Sequence, residues 1–401
     1  MAIPSSATTT AGGARPRYEV ADVVRAVGAA YRGTHAVSAD QARVLGALVR
    51  CRAAALGGHV EACDACGTRR VAYNSCRNRH CPKCQGGAQA QWLAAQQALL
   101  LPVPYFHVVF TLPHELNALV RVNPRRLYAL LFRAAAATLQ TFARDPTHLG
   151  AELGVTAVLH TWGQTLTQHV HVHCIVTGGG LSPDGRRWVR TRPRFLFPVR
   201  ALSHVFRGKF LAGVQRLHAH DALTFAGDSA ALVDPPTWTA WLATLRTRAW
   251  LVYAKPPFGG PARVLKYLSR YTHRVAISNA RLVFVGDEVV RFHWTDYADR
   301  HRLKLLSLPP TEFLRRFLLH VVPARFHRMR HFGLLANRQR AAKLTQCRAL
   351  LPAPPEPPTP TDAPAPPPAS SPSLAPPRCP ACGSGSLRIV ETLAPQRGVP
   401  P

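Results

Sequence analysis

The sequence predicts an α+β fold preceded by a small zinc-ribbon-like domain, and three observations carry that prediction. Helix-period segments and short strand-like segments are mixed from Tyr18 to about residue 297. One strand-like run, His169 to Val176, alternates β-branched residues with histidines. Ahead of it stand two Cys-x-x-C knuckles, Cys63/Cys66 and Cys81/Cys84, separated by fourteen residues.

Met1 to Arg17 is a small-residue tail expected to be disordered, and 18–95 reads as a helical and zinc-binding domain. Within it, Ser38 with Gln41 forms a capping box ahead of the apolar run Val44-Leu45-Leu48-Val49. A Gln/Ala-rich helix is expected over Ala88–Leu101, ended by Pro102 and Pro104. The core, 100–297, opens with a strand at Tyr105–Leu112. It continues with a helix at Arg125–Phe142, a strand at Val155–Leu159 and then the histidine strand. Gly178, Gly179 and Gly180 are read as the end of that strand. Ser182-Pro183-Asp184-Gly185 then turns the chain as a hairpin into Trp188-Val189.

Residues 298–350 read as a basic helical region. Its cations include Arg302, Lys304, Arg315, Arg316, Arg325, Arg328, Arg330, Arg338, Arg340 and Lys343, and Glu312 is the one acid between 300 and 345. A Pro-rich linker, 351–378, cannot bury a core. The tail, 379–401, carries one further knuckle, Cys379/Cys382, with no partner pair nearby in sequence.

The 401 residues are enough for two or three domains. Their 50 Lys and Arg against 20 Asp and Glu leave a net charge of +30, which points to a polyanion, nucleic acid above all. No stretch is apolar enough to span a bilayer; the longest uncharged one, 86–113, is polar and broken by prolines. A cytoplasmic, nucleoid-associated protein is expected, with no membrane partner. In a reducing compartment its ten cysteines suggest metal ligation before disulfides.

Along a strand, side chains alternate in direction, so His171 and His173 point one way and Val172 the other. Two imidazoles about 6.6 Å apart on a rigid strand can grip one divalent ion. His169 shares that face about 13 Å from His173, so the ion-holding pair is either 169/171 or 171/173, with a third ligand from elsewhere. Cys63, Cys66, Cys81 and Cys84 have the spacing of a tetrahedral zinc ribbon. Cys51, His59, Cys76 and His80 could add a second, interleaved zinc. Downstream, Tyr267 and Tyr271 stand at helical i, i+4 spacing beside Lys266, Arg270 and Arg274.

Taken together, the chain resembles the IS91-like two-tyrosine rolling-circle (HUH) insertion-sequence transposases, compact relatives of Helitrons. The resemblance covers roughly residues 40 to 345. It rests on Phe110-Thr111-Leu112, His171-Val172-His173, Tyr267 with Tyr271, the cysteine run Cys76–Cys84, Trp162-Gly163-Gln164 and Gly178–Gly185. It implies an HUH core, a central antiparallel sheet with flanking helices. It further implies that His171 and His173 hold Mg²⁺ or Mn²⁺, with Gln164, Gln168, His160 or His273 as third ligand. Tyr267 and Tyr271 would cleave and rejoin single-stranded DNA at insertion-sequence ends through a 5′-phosphotyrosine. Lys266, Arg270, Arg274, Arg328 and Arg330 would contact DNA. With no Walker A sequence present, unwinding falls to a host helicase. Two alternatives remain open at this level: a plasmid rolling-circle initiator or relaxase, and a non-catalytic zinc-ribbon nucleic-acid-binding protein.

Overall fold

The computed structural model describes residues 16–84, 93, 95–97, 99–258, 264, 275–352 and 378–396. Its centre is an antiparallel sheet. The strands are β3 (Tyr105–Thr111), β4 (Glu152–Trp162), β5 (Gln168–Leu181), β7 (Val252–Phe258) and β11 (Met329–Gly333), in the order β11-β4-β5-β3-β7. β6 (Trp188–Arg190) pairs with the end of β5 through the expected hairpin, where Gly185 donates its N–H to the Ser182 carbonyl at 2.9 Å.

The period-two pattern divides this sheet into two chemically different faces. Val170, Val172, Cys174 and Val176 of β5 join Ala157 and Leu159 of β4 and Phe110 of β3 in the main core. Helices Pro124–Arg144 and Val199–Ala219 pack in that core. Phe206 and Phe210 of the second helix meet Trp250 at ring distances of 5.4 and 5.5 Å, and Phe206 meets Phe110 at 4.9 Å. The odd-numbered histidines of β5 are thereby placed on the opposite face.

Helix Ala39–Arg50 begins at the capping box: Gln41 N–H donates to Ser38 Oγ at 3.3 Å, and Ser38 N–H to Gln41 Oε1 at 2.9 Å. Its buried residues are Val44, Leu45, Leu48 and Val49. Together with helix Val20–Thr34 it packs on parts of the chain far away in sequence. These are β8 (Leu282–Val285), β9 (Val290–Asp296), β10 (Arg302–Leu308) and helix Pro310–Leu318, which share one core with it through Val20, Leu48, Phe292 and Phe313. A third sheet, β12-β1-β2, joins β1 (Gly58–Cys63) and β2 (Arg69–Tyr73) to β12 (Leu387–Leu393).

Three expectations are corrected by this architecture. Gly178–Gly180 do not end the histidine strand; β5 runs through them to Leu181. Those glycines serve close backbone approach, since a Cβ on Gly178 would lie 2.7 Å from the Pro104 carbonyl oxygen. The basic segment 298–350 is not a separate helical region, because β10 belongs to one sheet and β11 forms the edge of the central one. The N-terminal helices are not an independent unit either, because their apolar faces are covered by residues beyond 275. The helix expected at Ala88–Leu101 lies largely outside the described residues. Among the described residues, no helix is long and apolar enough to cross a membrane.

Candidate metal centre

β4 and β5 pair so that His160 stands opposite His171. Directly opposed residues of an antiparallel pair share a face, and His173 joins them two positions along. The three buried rings converge, with centroids 4.5 to 5.4 Å apart and ligand nitrogens within 4.8 Å of one another. His160, His171 and His173 thus form one cluster, which leaves out His169. Gln164 is engaged elsewhere, donating from Nε2 to Tyr297 Oη at 2.9 Å. Gln168 accepts from Arg121 at 3.3 Å, and His273 lies outside the described residues.

The backbone and a fourth histidine set the orientation of these rings. A carbonyl can only accept, so the 2.7 Å contact between His171 Nδ1 and the His169 oxygen places a proton on Nδ1. Nε2 is then the nitrogen through which His171 would hold an ion. His173 Nδ1 lies 2.8 Å from His107 Nε2. Burial, reinforced by the Lys255 charge, holds the His107 pKa down at about 3, so that ring is neutral and able to accept. A supporting partner of this kind fixes the tautomer of a metal ligand. Replacing His107 with Ala is expected to weaken divalent-ion affinity about 10–100-fold, whereas His107→Gln retains most of it. Calorimetric titration with Mn²⁺ checks both.

This donor set fits a divalent cation: three imidazoles on a rigid sheet face, two of them, His171 and His173, oriented by hydrogen bonds. They open onto a cavity of ≈ 900 Å³ lined also by Trp162, Tyr253, Lys255, Trp294 and Tyr297. Asp296, on the cavity wall, is tied to Lys304 at 2.8 Å, and that contact holds its carboxyl below the usual range.

The expected four-cysteine ribbon is rearranged. Cys81 and Cys84 join Cys51 and Cys76, whereas Cys63 and Cys66 lie with Cys379 and Cys382. A knuckle supplies only two ligands, and which pair completes it is decided by tertiary packing. In the first group, Cys84 Sγ lies 3.3 Å from Cys51 and 3.6 Å from Cys76. Neighbouring thiols, Cys76 foremost, hold Cys51 far below the ordinary thiol value, and Cys51 pushes Cys81 far above it. Four sulfurs this close suit Zn²⁺, with which all four can be thiolates. His59 instead contacts Glu61 at 3.3 Å, and His80 is buried and held near pKa 3, chiefly by that burial.

Arg328 and Arg330 are both half-buried. Burial, with Arg79 nearby, lowers the Arg328 pKa to about 10. The Arg330 guanidinium lies over Phe132 and Phe326 at 4.9 and 5.0 Å. Lys266, Tyr267, Arg270, Tyr271 and Arg274 lie outside the described residues. Sequence reasoning did not single out His107, whose only signal is one histidine in an otherwise apolar strand. It also missed Tyr253, Trp294 and Tyr297, which nothing local links to His171.

Comparison with known proteins decides the family. Residues 154–343 match a family model described as "Putative transposase", and residues 23–112 match a transposase zinc-binding domain of IS91 type. The chain is 51% identical to "Putative transposase y4qJ" of Sinorhizobium fredii (strain NBRC 101917 / NGR234), over 96% of its own length and 98% of that relative. It belongs to the IS91 family of transposases. It is also 30% identical to the transposase for insertion sequence element IS801 of Pseudomonas savastanoi pv. phaseolicola, over 80% of this chain and 75% of that one. No solved structure matches. Within this IS91-family chain, the matched transposase segment contains most of β4, all of β5 and the three histidines, and the matched zinc-binding segment contains Cys51, Cys76, Cys81 and Cys84.

Proposed function

We propose that this transposase cleaves and rejoins single-stranded DNA at insertion-sequence ends through a tyrosine nucleophile, in rolling-circle transposition. The observation that carries the proposal is the His160/His171/His173 cluster at the floor of a wide cavity. The three histidines would hold a divalent ion there, and when bound it would supply Lewis-acid polarisation of the scissile phosphate. The buried sheet face keeps the histidines in place. Trp162, Tyr253, Trp294 and Tyr297 offer ring faces on which unpaired bases can stack, and Lys255 adds a cation for the backbone.

The hydroxyl of Tyr267 or Tyr271 attacks phosphorus, forming the 5′-phosphotyrosine bond as the P–O3′ bond breaks. The tyrosine gives up its proton, and the departing oxygen gains one to become a 3′-OH. The second tyrosine performs a later cleavage, and the phosphodiester energy stays in the covalent link, so joining needs no ATP. Lys266, Arg270 and Arg274 stabilise the charged transition state, and a host helicase exposes the strand. Of the two expected ions, Mn²⁺ suits three nitrogen donors better than Mg²⁺, which prefers oxygen.

Cleavage of single-stranded DNA spanning an element end tests this reading, with Tyr267→Phe, Tyr271→Phe and the double variant compared in Mn²⁺ and Mg²⁺. Loss of strand cleavage in the double variant, with Mn²⁺ the better ion, is expected. Binding without cleavage by wild-type protein in both ions would reject it in favour of a non-catalytic DNA-binding role.

A further inference from the structure

The tail knuckle Cys379-Pro380-Ala381-Cys382-Gly383 is not used by the cleavage proposed above and lies outside the matched zinc-binding segment. Its backbone nevertheless repeats that of Cys63-Asp64-Ala65-Cys66-Gly67. Each closes on a glycine with positive φ, +70° at Gly67 and +72° at Gly383. In each, that glycine donates its N–H to the carbonyl of the first cysteine, at 3.1 and 2.8 Å. Backbone N–H groups also turn onto the sulfurs. Ala65 and Cys66 donate to Cys63 Sγ at 3.4 and 3.5 Å, and Gly385 donates to Cys382 Sγ at 3.4 Å.

The two knuckles face each other although Cys63 and Cys382 are 319 residues apart. Cys63 Sγ lies 3.7 Å from Cys382 Sγ, and Cys66 Sγ lies 3.7 Å from Cys379 Sγ. Sulfurs bound tetrahedrally to one zinc at ≈ 2.3 Å stand about 3.8 Å from one another. A disulfide would need about 2.05 Å, and all four cysteines are free. The strands extend the match. β12 runs antiparallel to β1 from Gly58↔Leu393 to Cys63↔Leu387, and Asp64 exchanges backbone and side-chain hydrogen bonds with Ser386 at 3.1 and 2.7 Å. Under this small sheet the buried cluster is Cys63, Cys379 and Leu387. So few apolar groups cannot hold three strands without a further cross-link.

We propose that Cys63, Cys66, Cys379 and Cys382 form a second tetrahedral zinc site, assembled from the two ends of the chain. The ion fastens β12 to the β1–β2 hairpin, so attachment of the tail depends on metal.

Zinc content of the full-length protein gives the first test. Cys379→Ser with Cys382→Ser is expected to lose one zinc per chain relative to wild type, as is Cys63→Ser with Cys66→Ser; no loss in the folded tail variant overturns the proposal. A second readout avoids substituting any ligand. A specific protease site is inserted between residues 353 and 377, and the cleaved protein is run on gel filtration. The tail fragment is expected to stay with the body in zinc and to separate after chelation. A fragment that separates in zinc, or that remains once zinc is gone, contradicts the zinc clasp.

Discussion

Replacing His173 with alanine is expected to lower metal-dependent strand cleavage by more than the ~10–100-fold that loss of a supporting partner costs. His173 has two roles. It is one of three nitrogens that converge within 4.8 Å, and it is the ring through which His107 orients the set. With His173 gone, two donors remain, too few to hold an ion firmly in an otherwise solvent-accessible cavity. Its ring lies on the face of β5 opposite the main core, so the variant should still fold, with a modest fall in Tm from the buried His107 left without this partner. Cleavage rates and Mn²⁺ titration of the folded variant check this together. Undiminished cleavage would mean that the histidines are structural.

Replacing Cys81 with serine has the other large effect, this time on folding. Cys81 is completely buried, and its sulfur belongs to the Cys51/Cys76/Cys84 group. Structural zinc contributes about 10–16 kcal/mol of apparent binding free energy to the folded state of small domains. Even a fraction of that should lower Tm on the order of 10 °C. The damage should also spread, because Cys51 and Cys81 share a core with Val20, Leu48, Phe292 and Phe313. β9 lies in that same assembly and carries Trp294 on the wall of the histidine cavity. Loss of zinc, a lower Tm and weakened DNA cleavage are expected together. Zinc loss with an unchanged Tm would show that this cluster is not a folding element.

What was legible in the sequence was local. Ser38 and Gln41 announce a helix start because both halves of the capping box lie within one turn, and the structure contains that box. The His-Val-His alternation fixes which side chains share a face, since strand geometry leaves no freedom in that. What escaped depends on which strands become neighbours. His160 could be named only as one of four candidates, because its selection follows from the β4/β5 register. The cysteine pairing failed for the same reason: fourteen residues separate two knuckles that are completed by different partners. The basic character of residues 298–350 was real, yet β11 lies inside that segment as an edge of the central sheet, and Arg330 stacks on aromatic rings. Charge composition does not distinguish a guanidinium on phosphate from one on phenylalanine.

Mass spectrometry of the covalent protein–DNA adduct identifies the nucleophile. Single-stranded DNA spanning an element end is incubated with wild-type protein and Mn²⁺, trimmed by nuclease and protease, and the modified tyrosine is located. A 5′-phosphotyrosine at Tyr267 or Tyr271 is expected, absent without the ion and absent in His173→Ala. An adduct at Tyr253 or Tyr297, both of which line the histidine cavity, or cleavage with no adduct at all, would contradict it.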